Sequence, residues 1–223
     1  MRVGDFLMSL LAGRSWRVAS QAAAQRLDLL EFPATIQLGD HEIVLRNMEP
    51  RDREAMLAFA NALPPHDLLF LRRDITKPDV IDQWLHDIDE GHYATIVALR
   101  GNEIVGYATV ASEGLAWTRH VAELRILVSP KMRGLQLGRL LTEQAFALAR
   151  ERGVRKMLAQ MTSDQVAAMR VFNHMGFEKE ARLRNQLIDR DGQLHDLQIM
   201  SLDVDEFRAK VDLMSVTAQH ELV

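Results

Sequence analysis

Leu127-Val-Ser-Pro-Lys-Met-Arg133-Gly-Leu-Gln-Leu-Gly138-Arg-Leu-Leu141 decides how the rest of this chain is read. The stretch begins as the end of an apolar strand, breaks at Ser129-Pro130, turns through Arg133-Gly134 and continues as an amphipathic helix. The first N–H groups of a helix have no partners inside it, and the helix dipole places partial positive charge at that end. A strand feeding a glycine-bearing turn that opens a helix therefore makes an anion site, with a phosphate or pyrophosphate as its natural guest. The same pattern also occurs as an ordinary turn, so its surroundings must decide.

Upstream, residues 118–128 read as a strand whose alternation puts Glu123, Arg125 and Leu127 on one face and Leu124, Ile126 and Val128 on the other. Further back, 93–99 and 104–110 pair around the turn Arg100-Gly-Asn-Glu103. Helices are expected over 50–61 and 80–88, with Pro64-Pro-His-Asp67 as a loop between them. Residues 35–38 and 42–46 read as a hairpin, or as one strand with an irregular lead-in. Downstream, a helix over 137–152 turns Leu140, Leu141, Ala145, Phe146 and Ala149 inward, and Gly153 caps it. A strand at 154–160 and a helix at 164–175 follow, the helix stopped by Gly176. Strands 177–188 and 194–202 are joined by Asp189-Arg-Asp-Gly192, where Asp191-Gly192 suits a type I′ turn. Helical patterns also cover 3–31 and 203–214. The expected division is an N-terminal helical extension (1–34), one catalytic-size domain (35–204) and a C-terminal helix with tail (205–223).

Composition narrows the function classes. The chain has 223 residues, a net charge of −4 and 48% hydrophobic residues, which suits one globular core and leaves no basic footprint for nucleic acid. Cysteine is absent, which removes disulfides, thiolate metal ligands and a Cys nucleophile. The eight histidines are scattered without zinc spacing, and Asp189–Gly192 lacks the later acidic ligands of a calcium loop, so no metal is expected. The apolar run 6–12 is short of the ~20 residues a spanning helix needs. Asp5, Arg14, Trp16 and Arg17 do not suit a signal peptide, so a soluble cytoplasmic protein is expected.

Taken in order, these elements resemble the GCN5-related N-acetyltransferase (GNAT) family, most of all its phosphinothricin and amino-acid N-acetyltransferases. The likeness covers about 41–203. It is carried by Ile43-Val-Leu-Arg-Asn-Met-Glu-Pro-Arg-Asp52, Glu103-Ile-Val-Gly-Tyr107, Val128-Ser-Pro-Lys-Met-Arg-Gly-Leu-Gln-Leu-Gly138 and Met175-Gly-Phe-Glu178. The resemblance implies an α+β fold arranged as a three-layer sandwich, with a mixed, mostly antiparallel seven-stranded sheet flanked by helices. It implies acetyl-CoA as co-substrate. Backbone amides of Arg133, Gly134, Leu135, Gln136, Leu137, Gly138 and Arg139 would wrap the pyrophosphate. A splay between the strand ending at Leu127-Val128 and strand 154–160 would leave backbone groups for the pantetheine arm, and Met169 and Phe172 would flank the thioester. Three positions depart from the family pattern: Gln136 replaces the middle glycine of the turn, Gln165 an asparagine, and Phe172 the tyrosine that often protonates the departing thiolate.

Acetyl transfer needs a deprotonated amine, and Glu123, on the strand before the turn, is the candidate base, directly or through a water. An ordinary glutamate paired with Arg125 or Arg100 is the alternative. His120 is a candidate relay or a partly buried structural histidine, and Asn173 and His174 suit a solvated helix face. Trp117, Phe70 and Tyr107 are candidates for an acceptor pocket or for the core. If Asp67 joins Glu123 in the cleft, a cationic amine is favoured. Acceptors from amino acids and polyamines to antibiotics and peptide or protein amines remain open. The expected function is acetyl-CoA-dependent N-acetyl transfer in a ternary complex, with a non-catalytic acyl-CoA-binding or partner-binding module as the alternative. The apolar stripes of the terminal helices suit either homodimer contacts or docking on the chain's own domain.

Overall fold

A sheet runs through the described residues, which in this computed structural model are 30–68, 71–112, 117–189 and 191–207. Expectations for the N-terminal helices up to residue 29, for Phe70 and for the terminal helix beyond 207 lie outside the described residues. The strands are β1 (Ala34–Leu38), β2 (His41–Asn47), β3 (Tyr93–Arg100), β4 (Glu103–Ala111), β5 (Val121–Val128), β6 (Lys156–Thr162), β7 (Glu178–Ile188) and β8 (Leu194–Asp203). The helices are α1 (Arg53–Asn61), the short α2 (Pro65–Leu68), α3 (Pro78–Asp89), α4 (Leu137–Glu151) and α5 (Val166–His174). The sheet order is β1-β2-β3-β4-β5-β6-β8-β7, and every neighbouring pair is antiparallel except β5 and β6.

The sheet has eight strands, not the expected seven. The lead-in is itself a strand, paired with β2 from Ala34↔Leu45 to Leu38↔His41, and Gly39 makes the turn at φ 61°. The last hairpin forms where its turn residues place it. However, the turn is longer than the two-residue type expected, because the Asp189 carboxylate accepts the amides of Asp191 and Gln193.

Strand alternation builds two cores. On β3, Ile96 and Ala98 face α4, with Leu137, Leu141, Ala145 and Phe146, whereas Val97 and Leu99 face Met56, Phe59, Ile81 and Trp84 of α1 and α3. The result is the expected three-layer arrangement of helices on both faces of the sheet. Leu137 and Leu141 are fully buried, and each contributes about 2 kcal/mol by leaving water, so the first turn of α4 is held against the sheet. Trp84 is fixed as firmly: its indole N–H donates to Thr95 Oγ1 at 3.0 Å, and its ring meets Tyr107 edge-on at 4.9 Å.

Two irregularities prepare the site. In β4 the pairs Ala98↔Gly106 and Leu99↔Ile104 leave Val105 as an extra residue, a bulge that exchanges the two faces of the strand. The Val105 carbonyl accepts the Ser129 amide at 2.9 Å, which ties the end of β5 down just before the turn. Beside the bulge, a Cβ on Gly106 would stand 3.0 Å from the Leu127 carbonyl and 3.2 Å from Leu141, so only glycine lets β5 and α4 pass this close. The second irregularity is the β5–β6 ladder, which pairs Val121↔Lys156, Ala122↔Met157 and Glu123↔Leu158 and then ends.

Candidate active site

Beyond Glu123, β5 keeps its antiparallel ladder to β4 as far as Gly106↔Val128, while β6 continues along β8. The two strands separate, and among the described residues the backbone groups of 124–128 on the β6 side have no ladder partner. A strand-like ligand arm can add there as a further strand would. Glu123 sits at the vertex, five residues or about 16 Å of strand from Val128.

The turn at the other end is a short 3-10 turn (Pro130–Met132) followed by Arg133, Gly134 at φ 79° and Gln136 at φ 64°, with α4 starting at Leu137. Gln136, which replaces the middle glycine of the turn, therefore occupies the left-handed region that favours glycine. The strain is about 1–2 kcal/mol for a residue with a Cβ. It turns the chain so that α4 begins with the amides of Leu137, Gly138 and Arg139 lacking intrahelical partners. The side chains in this stretch have other duties. Leu137 is core, Leu135 packs beside it, and Arg139 Nε donates to Glu143 at 2.9 Å. Arg133 donates to Asp67 of α2. Val128 packs on the α4 side and Leu127 on the opposite one. An open strand edge leading to a turn of outward amides fits the pantetheine arm and pyrophosphate of acetyl-CoA, held mainly by backbone. Phe172, on α5, meets Phe177 edge-on at 5.1 Å and packs against the same α4-side core as Val128 and Leu135.

At the vertex, a cavity of about 630 Å³ opens on the α3 side of the sheet. Its charged lining is Glu123, Asp87 and the guanidiniums of Arg72, Arg73 and Arg125, with Tyr93 and His92. Glu123 and Arg125 share a strand face at i and i+2, so their side chains meet. Arg125 Nε and Nη2 donate to the two Glu123 carboxylate oxygens at 3.2 and 3.3 Å, and Nη1 reaches the Tyr93 hydroxyl at 3.4 Å. Arg72 approaches Glu123 Oε2 at 3.2 Å from outside the strand. Arg73 donates to Asp87 at 2.7 Å and lies 5.5 Å from the centre of the Tyr93 ring, with Arg125 at 5.4 Å. Asp87 stands one helical turn beyond the anchored Trp84, so α3 packing sets its place.

Burial works against the charge on Arg125, but its hydrogen bonds to Glu123 and its contact with Tyr93 outweigh that and raise its pKa above the ordinary value. Burial likewise pushes Asp87 up, while Gln83 and Arg73 pull it down further and leave it below the usual carboxylate range. The pocket is thus a set of fixed charges in partly buried surroundings, where each acts over a longer range than in water.

Several expectations are redistributed. Glu123 lines the cavity and is paired with Arg125, whereas Arg100 pairs with Glu103 on the β3–β4 turn. Asp67 stands at the turn before α4, paired with Arg133, and is not in the cavity lining. His120 is exposed and outside the cavity lining, so it is not the partly buried histidine expected. Tyr107 is core between Trp84 and Phe59, and Trp117 is 81% exposed. The sequence reading missed Arg72, Arg73, Asp87 and Tyr93. The tandem arginines after the Pro64-Pro65 loop were the one available signal.

A family model described as the acetyltransferase (GNAT) family matches residues 58–177. The chain is 29% identical over 118 residues to an L-methionine sulfoximine/L-methionine sulfone acetyltransferase of Salmonella typhimurium, covering 52% of this chain and 68% of the relative. Among solved structures, a ribosomal-protein-alanine N-acetyltransferase from Brucella melitensis superposes with a TM-score of 0.64 at 26% identity, over 71% of this chain and 98% of that one. An acetyltransferase of Salmonella typhimurium, solved with acetyl-CoA, superposes with the same score of 0.64 at 23% identity, over 73% and 94% of the two chains. Among the described residues no group of His, Cys, Asp or Glu is arranged to hold a metal ion, and no helix is long and apolar enough to cross a membrane.

Proposed function

The chain belongs to the GNAT acetyltransferase family, and on that premise we propose that it moves the acetyl group of acetyl-CoA to the amine of a small acceptor that also carries a carboxylate, an amino acid or a close analogue. Acetyl-CoA-dependent N-acetyl transfer is the family's chemistry, and the open β5 edge and the turn before α4 suit its co-substrate. What supports the acceptor class is the cavity at the vertex, where Arg72 and Arg125 pair with Glu123 and Arg73 with Asp87, three guanidiniums to two carboxylates. A polyamine brings positive charge into that field and is disfavoured, and the condition that favoured a cationic acceptor fails because Asp67 belongs to Arg133. A protein N-terminus offers an amine without an adjacent carboxylate, so it uses the arginines less well.

Acetyl-CoA supplies an acyl carbon already bonded to a good leaving group. The backbone of Leu127 and Val128 and the amides of 133–139 hold its two ends, and Met169 and Phe172 of α5 flank its thioester. Glu123, at the vertex, accepts the proton of the acceptor's ammonium, directly or through a water. The freed nitrogen lone pair then bonds to the thioester carbonyl carbon, the carbon–sulfur bond breaks, and CoA leaves as its thiol with the nitrogen's second proton. No acid is required from Phe172, because a thiolate is stable near neutral pH.

The test is CoA release measured with free amino acids, polyamines and peptides presenting an N-terminal alanine. Turnover on amino acids at least about tenfold above the other classes is expected. A protein that acetylates peptides or polyamines better overturns the acceptor class. One that is warmed by acetyl-CoA in melting experiments yet releases no CoA with any amine would be the binding module instead.

A further inference from the structure

Two of the guanidiniums at the vertex share the Tyr93 ring, and they differ in which of their donors are taken. Arg125 is engaged at every nitrogen: Nε and Nη2 donate to the two Glu123 oxygens at 3.2 and 3.3 Å, and Nη1 reaches the Tyr93 hydroxyl at 3.4 Å. Arg73 uses only Nη1, which donates to Asp87 Oδ2 at 2.7 Å, while its Cζ stands 5.5 Å from the centre of the Tyr93 ring. Asp87 is itself fixed, since Gln83 donates to its other oxygen at 3.0 Å. Among the described residues Arg73 Nε and Nη2 have no acceptor, and neither has the O–H of Tyr93, which only receives from Arg125. Both residues line the cavity.

The geometry points to Arg73 and Tyr93 as the specificity-determining pair that receives the acceptor's carboxylate, at a spacing that selects α-amino acids. This rests on the amino-acid reading above. The fork of Nε and Nη2 on a guanidinium matches the two oxygens of a carboxylate, and the phenol adds a further donor. Asp87 holds Nη1 and the Tyr93 ring stands beside the guanidinium, so the fork is in place before the acceptor arrives and little ordering is lost on binding.

Arg125 sets the spacing. Glu123 and the Tyr93 hydroxyl bond to the same guanidinium, so they stand apart by at most the width of that group and two hydrogen bonds. An α-amino acid spans such an interval: its nitrogen meets Glu123, its carboxylate meets Tyr93 and Arg73, and a single carbon separates the two groups. Tyr93, Ala111 and Glu123 also lie in one row across β3, β4 and β5, so both ends of the interval are fastened to the sheet. In a β- or γ-amino acid the additional carbons carry the carboxylate past the hydroxyl or lift the nitrogen off Glu123, and one contact is lost. A site built from hydrogen-bonding groups turns away the ligand that leaves them unpaired.

The experiment measures kcat/KM for α-, β- and γ-aminobutyrate, which share one formula, and for propylamine, the α-isomer without its carboxylate, in the full chain and in Arg73→Ala and Tyr93→Phe. The wild-type chain should prefer the α-isomer to each of the others by at least about tenfold. Arg73→Ala should lose about tenfold to a hundredfold on the α-isomer, mainly through KM, and less than about twofold on propylamine. Tyr93→Phe keeps the ring beside Arg73 and should lose severalfold on the α-isomer alone. The contrast with propylamine is the decisive readout, since a structural role would lower both substrates together. Should propylamine turn over too slowly to compare, the split on the α-isomer decides: a rise in KM alone supports the assignment and a fall in kcat overturns it. If Arg73→Ala does not fold, Tyr93→Phe decides by the same measures. Equal losses on both substrates, no loss in either variant, or a wild-type chain that takes the β- or γ-isomer as well as the α-isomer overturn the assignment while leaving the amino-acid reading standing. A wild-type chain that accepts no amino acid overturns the reading and the assignment with it.

Discussion

The two ends of the cleft are built from different materials. The proposed cofactor end, from Leu127 to Arg139, offers backbone: a free strand edge, two left-handed residues and the opening amides of a helix. Its side chains are mostly committed elsewhere, as with Leu137 in the core and Arg139 on Glu143. The proposed acceptor end offers side chains brought from a loop, a helix and two strands to one cavity. Backbone groups are the same in every sequence, so the first end tolerates substitution as long as the path of the chain is kept. The second depends on the identity of each residue, and it is there that one acetyltransferase comes to differ from another.

The sharpest way to separate the ends is Glu123→Gln. Loss of the proton acceptor should lower kcat by about a hundredfold or more, while the rise in melting temperature caused by acetyl-CoA stays the same. If cofactor binding fell in parallel, the division between the ends would be broken. Gly106→Ala probes the opposite end without touching a charged group. The new methyl would press on the Leu127 carbonyl and on Leu141, moving the β5 edge and the start of α4. Acetyl-CoA affinity should fall about tenfold, or ~1.4 kcal/mol, with the acceptor KM unchanged at saturating acetyl-CoA, as measured by calorimetry and steady-state kinetics. The smallest change is expected from Gln136→Gly. Relief of about 1–2 kcal/mol of left-handed strain is offset by the ~0.5–1 kcal/mol that glycine's extra freedom costs, so stability should rise by roughly 0.5 kcal/mol. Acetyl-CoA affinity should move less than about twofold if the turn binds through its backbone. A large loss would instead give the Gln136 amide side chain a direct part in holding the ligand.

The difference between the ends also explains what could be read in advance. The strand, the Ser129-Pro130 break, Gly134 and the amphipathic helix are neighbours in sequence, and each obeys local rules of conformation. The path of the chain through this turn was therefore legible, including Gln136 as its irregular residue. Glu123 was legible as a candidate because strand alternation and its distance from the turn are local facts, and so was its pairing with Arg125 two residues away. Asp67 shows where that kind of reasoning stops. Its position in a loop suggested the pocket, yet the fold carries it to Arg133 at the opposite end. Tyr107 and Trp117 were both candidates for the pocket, but α1 and α3 packing puts the first inside the core and leaves the second in solvent. The eighth strand was left open between a hairpin and an irregular lead-in for a simpler reason: a run of five residues becomes a strand only because β2 has an edge to pair with.

The sequence by itself determined the order of the elements and the glycine-bearing turn before α4, and it put forward Glu123 as the candidate base. Hydrophobic period, glycine, proline and strand parity act between residues a few positions apart. Only the tertiary structure decided that β5 and β6 part after Glu123, and that Arg72, Arg73, Asp87 and Tyr93 meet around that carboxylate. Those residues come from three separate segments, and no local rule links them. Their meeting follows from how two faces of one sheet are covered, which is a property of the packed core.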